Sequence, residues 1–141
     1  MDPRVLTARQ DLVRQYDLSV QTARGMRRDS LALAQLRDWR GRLQSAPAQT
    51  RADSTAIDSL QQAASRLESG AGLPRARAGE LPSPSLTRLQ TELGRLYDVL
   101  QDSDAAPAAA HAATAMRLEQ SLQDLEAQLR ALLRRPVPGA P

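Results

Sequence analysis

The chain is 141 residues long and carries a net charge of +3, no Cys, no Lys, and only Trp39, Tyr16 and Tyr97 as aromatics. That length supports one domain with a single core. Without Cys, a disulfide framework and a thiolate metal site are excluded, and a core of Leu and Ala favours close-packed helices over a sandwich.

The spacing predicts a first helix from Thr7, as its N-cap, to Gln44, with residues 1–6 as a lead-in. Val13, Tyr16, Val20, Ala23, Met26, Leu33, Leu36 and Leu43 recur at steps of three, four or their sums, which marks one buried helical face. Trp39 lies on its flank. Gly25 is a soft point, costing about 1 kcal/mol against Ala inside a helix. Ser30 interrupts the stripe where bulk is expected, which predicts a bend or a change of register.

"SAPAQTRAD" reads as a loop, after which Asp53 or Ser54 caps a second helix running to Ser69. Ile57, Leu60, Ala64 and Leu67 form its stripe, and Gly70 supplies the left-handed residue that ends it. Residues 70–84 are a Pro/Gly-rich connector without periodicity. Ser83 and Pro84 then signal a helix start, hydroxyl cap followed by Pro at the first helical position.

Leu86, Leu89, Leu93, Leu96 and Leu100 follow at alternating steps of three and four. "DSDAAP" closes that third helix and opens the last, with Asp102 or Asp104 as its cap. In the fourth helix His111, Ala115, Leu118, Leu122, Leu125, Leu129 and Leu132 keep the same spacing until Pro136, beyond which residues 136–141 form a disordered tail. The shared period near 3.5 suits antiparallel packing, each stripe burying mainly the other. The resulting fold class is all-α: an antiparallel four-helix bundle with one long N-terminal helix, a single domain over residues 1–141. Val13, Tyr16, Leu36, Leu60, Leu89, Leu93, Leu96, Leu100, Leu122, Leu125 and Leu129 are its expected core.

Reactive chemistry is thinly provided. His111 is the only histidine, and no Glu stands three residues before it, so the Glu-x-x-His pairs of a di-iron bundle are absent. A single His without an orienting carboxylate makes no nucleophile–base pair. Asp98, Asp102 and Asp104 are the closest acidic group, and read as a cap and a solvated face rather than as a glycosidase pair. "GAG" at 70–72 follows a helix and precedes Leu-Pro, the wrong context for a phosphate loop. No catalytic residue, cofactor, metal or small-molecule substrate is expected.

Residues 1–51 hold ten of the 19 Arg against five Asp, so the first helix carries the only candidate basic surface. Arg24, Arg27 and Arg28 form one cluster, and Arg37, Arg40 and Arg42 another. Phosphates could be neutralised along such a helix, but Asp29 and Asp38 are interleaved and no stacking aromatics accompany the clusters. A solvated face is the preferred reading over nucleic acid. No apolar run approaches a membrane span of about 18–20 residues. "MDPRVLTARQ" has no apolar signal-peptide core, and the first helix is too poor in Phe and Trp to lie on a membrane surface.

Two stretches are distinctive: "MDPRV" at the start, and "LTRLQTELGRLYDVLQDSDAAP" at 86–107 with the Ala-rich helix that follows. Together they resemble the C-terminal helical region of large exported bacterial proteins with BNR-repeat, sortilin-like β-propellers, often labelled glycosyl-hydrolase-like. The resemblance implies one module of a longer, exported (periplasmic or extracellular) polypeptide, with Met1 an internal or fragment methionine. The active or binding surface of that family belongs to its propellers, and none of its residues maps onto this chain.

The sequence therefore points to a non-catalytic helical module for domain packing or protein association. Neighbouring domains, a protein partner or a second copy are its expected contacts. Its candidate interaction surface is Met26, Leu31, Trp39 and Arg40, on the part of the first helix left beyond the reach of the others. An accessory part of a glycoside-hydrolase-like enzyme, built at the acidic bend 98–104, and a basic-helix nucleic-acid-binding protein are the alternatives.

Overall fold

The computed structural model describes residues 3–102 and 109–138, with backbone only for residues 3–7. Four helices, α1 (Pro3–Gln44), α2 (Arg51–Ser69), α3 (Leu86–Asp102) and α4 (Ala109–Leu133), pack into an all-α bundle.

Their ends differ from expectation in informative ways. α1 begins at Pro3, so Thr7 lies inside the helix and residues 3–6 are helical rather than a lead-in. α2 is capped by Thr50, not by Asp53 or Ser54. The Thr50 hydroxyl accepts the Asp53 N–H at 3.1 Å and the Asp53 carboxylate accepts the Thr50 N–H at 3.1 Å, a reciprocal capping box. Gly70 ends α2 at φ 75°, as its type requires. α3 starts two residues late, because the hydroxyl of Ser85 rather than Ser83 accepts the Arg88 N–H at 3.4 Å. Asp102 is the last residue of α3, and Asp104 falls outside the described residues. Val137 packs against the core, so the expected tail is anchored at that point. Replacing Thr50 with Ala should cost about 1 kcal/mol in urea unfolding; an unchanged midpoint would return the cap to Asp53 or Ser54.

At 42 residues α1 is about 63 Å long, and at 17 residues α3 is about 26 Å. One short helix cannot cover the long one. Gln15 donates to the Leu100 carbonyl at 2.6 Å, and Gly25 faces Leu93, so α3 runs antiparallel along the N-terminal half of α1. Arg37 and Arg40 reach Glu68, and Arg40 also reaches Gln61, so α2 runs antiparallel along the C-terminal third. Both short helices thus point the same way. Gly70 and Ser85 nearly touch: a Cβ on Gly70 would sit 3.9 Å from that of Ser85. α2 and α3 are therefore one interrupted column, and the connector leaves it and returns instead of crossing the bundle. α4 is the third column, passing Gly25 with Leu122 and flanking the same groove as Leu67 of α2 with Leu132.

The core is the set of seams these columns share. Leu60, Leu89, Leu93, Leu96, Leu100, Leu122, Leu125 and Leu129 are buried as expected, as is Leu36. Val13 and Tyr16 are not: they are 53% and 69% exposed. α3 also packs more extensively on α1 than on α4, so the two Leu stripes are not chiefly each other's cover.

The reason is the phase of α1. Leu36, Trp39 and Leu43, with Ala32 and Leu33, are buried and fix which side of the C-terminal half faces inward. α1 runs without a break through Ser30, as one continuous helix. Counting back from Leu36 in steps of four and three reaches Ala32, Asp29, Gly25, Thr22, Leu18 and Gln15. Those residues, mostly small or polar, are what the N-terminal half turns inward. The apolar stripe Val13, Tyr16, Val20 stands on another face.

Candidate interaction surface

The expected surface residues do not form one patch. Met26 is half-buried against the core, Trp39 is 4% exposed and belongs to it, and only Leu31 is open, at 58%. Arg40 is half-buried and tied to Glu68, Gln61 and Ser65 of α2. A surface through Trp39 is thus replaced by packing: the indole fills the space between α1 and the rest of the bundle.

The open apolar face lies earlier on the same helix. Leu12, Val13 and Tyr16 are 64%, 53% and 69% exposed. Beside Tyr16 a groove of about 600 Å³ runs between α1 and α4, lined by Asp17, Val20, Gln21, Arg24, Arg28 and Glu119. The heptad phase of the C-terminal half was the signal that could have found this face, since it turns residues 12, 13 and 16 away from the other helices.

Charge around the face is mixed, Arg9, Arg14 and Arg24 against Asp11 and Asp17. Arg28 donates to Glu119 at 2.7 Å and pairs with both oxygens of Glu126, clamping α1 to α4. Arg37 and Arg40 share Glu68, and Arg42 pairs with Asp38 at 3.3 Å. Four of the six arginines in the two basic clusters therefore have carboxylate partners within the chain. Hydrogen bonding from Arg28 holds the Glu119 carboxyl below the ordinary Glu range, opposed by partial burial. Among the described residues Arg9, Arg24 and Arg27 find no ion pair, and Arg14 only a long one to Asp11 at 4.0 Å.

Three of the small or polar residues on the inward face have an evident use. Gln15 holds the end of α3, the Thr22 hydroxyl donates to the Leu18 carbonyl at 2.7 Å, and Gly25 leaves room for Leu93 and Leu122. Asp29 differs. It is fully buried, and neither carboxylate oxygen has a hydrogen-bond partner among the described residues. Burial pushes its carboxyl up to about 7, and the charge of Glu126 pushes the same way. The sequence showed only an acid interleaved among arginines; its burial could be read only from the phase of α1.

Elsewhere the chemistry is sparse. His111 is half-buried, with Nδ1 buried and unpartnered among the described residues. Asp98 and Asp102 are exposed. No group of three His, Cys, Asp or Glu among the described residues could hold a metal ion. A groove of about 690 Å³ between the connector and α3 is lined by Arg75, Arg88, Arg95 and several hydroxyls. Glu92, its carboxylate, pairs with Arg117 at 3.4 Å. That groove holds no nucleophile beside a base among the described residues. Among them, too, no helix is long and apolar enough to cross a membrane. Comparison with protein-family models, curated proteins and solved structures finds no match.

Proposed function

We propose that this chain is a non-catalytic helical module that docks onto another folded domain through the N-terminal half of α1. The observation that carries the reading is the exposed stripe Leu12, Val13 and Tyr16, on a helix whose inward face is elsewhere. Contiguous apolar surface of this kind marks contact sites more often than solvent boundaries. With Arg9, Arg24 and Arg27 unpaired along it among the described residues, the face suits an apolar ridge rimmed by carboxylates, which would also speed encounter. If the chain is the helical end of a sortilin-like propeller protein, as its sequence suggests, that ridge belongs to a neighbouring domain of the same polypeptide. The reading frame upstream of Met1 decides this.

A photo-crosslinking residue at position 16, compared with one at exposed Met116, tests the reading in expressing cells. The expected result is one discrete adduct with a different protein or domain from position 16 only, lost when Leu12 and Val13 are changed to Glu. Adducts of this chain with itself, equal labelling from position 116, or none at all would each sink it.

The nucleic-acid alternative is the weaker reading, because Arg28, Arg37, Arg40 and Arg42 already have carboxylate partners. The enzyme-accessory alternative has only Asp98 and Asp102 to build on among the described residues.

A further inference from the structure

Asp29 raises a question that packing alone does not answer. A lone carboxylate moved from water into an apolar setting costs so much that such groups are paired or give up their charge. Asp29 is not paired with any described residue. On its own helix it stands between Gly25, one turn before it, and Ala32 and Leu33, one turn after, all buried. Arg28 is adjacent in sequence but committed to α4, through Glu119 and Glu126.

The charges on the surrounding elements offer no compensation. From α4 the nearest is Glu126, of like sign, and Glu119 is held by the same guanidinium. On α3, Leu93 meets α1 at Gly25, one turn before Asp29. The charges Arg88, Glu92 and Arg95 of that helix line the outer connector groove, with Glu92 taken by Arg117. On α2, Glu68 is shared by Arg37 and Arg40.

We propose that Asp29 is a proton-operated latch on the seam between α1, α3 and α4: the bundle closes on the neutral carboxylic acid, and loss of that proton loosens the helix around Gly25 to Leu33. The folded state then holds a proton that the unfolded chain releases at ordinary Asp values, about 4. Stability from this group is fully present below that value. It declines as pH rises, and is gone above the folded value near 7. Within that window the folding equilibrium constant falls by up to about tenfold per pH unit, one proton's worth. Glu119 acts in the opposite sense, its contribution disappearing in acid as its carboxylate is protonated away from Arg28. Two carboxyls on one seam thus bracket the pH range in which it is tightest.

Three measurements on the full chain decide the matter. A carbon-13 titration of the Asp29 carboxyl in the wild type should give a midpoint near 7; a midpoint at ordinary Asp values overturns the proposal outright. Urea unfolding from pH 5 to 9 should show the wild type losing stability up to about pH 7 and levelling off above it. Asp29→Asn should flatten that slope, and Asp38→Asn, at an exposed position, should leave it intact; parallel slopes in wild type and Asp29→Asn overturn it too. Amide protection from Gly25 to Leu33, normalised to intrinsic exchange, should fall by up to about tenfold per unit as pH rises toward the midpoint near 7 and level off above it, while the C-terminal half of α1 stays protected. Uniform protection at all pH values refutes local loosening. Because the titration uses the wild type, failure of Asp29→Asn to fold does not remove the test.

Discussion

Replacing Trp39 with Ala lowers the unfolding free energy by about 3–5 kcal/mol, the range for removing a buried aromatic ring. The indole is 4% exposed and shares a seam with Leu36 and Leu43, both fully buried. A ring so enclosed leaves a void that neighbouring leucines refill only in part. Leu31→Ala, on the open side of the same helix, changes stability by no more than about 0.5 kcal/mol. Chemical denaturation of the two variants checks both numbers. A small loss at Trp39 would mean that the residue faces outward and that the phase assigned to α1 is wrong. Since that phase also exposes Leu12, Val13 and Tyr16, the docking reading would fall with it.

Leu122→Ala is expected to cost about 2–5 kcal/mol, because Leu122 is fully buried at the junction of three helices. Its loss should be partly reversed by a change that looks unrelated in sequence. A Cβ on Gly25 would lie 3.4 Å from Leu93 Cδ2 and 3.9 Å from Leu122 Cδ2. In the wild type Gly25→Ala gains about 1 kcal/mol of helix propensity, its methyl meeting Leu93 and Leu122 at ordinary contact distances. Once the side chain at position 122 has been cut back, the added methyl also fills part of the void left there. A double-mutant cycle should therefore show favourable coupling of about 0.5–1 kcal/mol between the two sites. Strict additivity would mean that α1 and α4 do not meet at Gly25.

Much of this architecture was legible beforehand. The alternating Leu steps of α2, α3 and α4 stand out because the stripe positions are apolar and most of their neighbours are polar or small. Gly70 could be placed as a helix terminator by its freedom to adopt positive φ. The caps were harder, since Thr50, Asp53 and Ser54 are all competent and only the local hydrogen bonds choose between them.

The N-terminal half of α1 misled for a physical reason. Two faces compete there: an apolar one through Val13, Tyr16 and Val20, and a small-polar one through Gln15, Thr22, Gly25 and Asp29. Local hydrophobicity favours the first. The second wins because an unbroken helix is stiff, and the C-terminal half, with Leu36, Trp39 and Leu43, has already fixed the rotation. The candidate surface followed the same error, placing Trp39 outside and Tyr16 inside. Asp29 could not have been singled out without that correction, being one of five Asp in its segment.

The near contact of Gly70 with Ser85 has an engineering and evolutionary corollary. A loop whose two feet already stand together can grow or shrink at little entropic cost, since closure depends only logarithmically on length. Residues between those feet form the natural splice point of the molecule, where a whole foreign domain could be accommodated while both halves of the broken column keep their seats.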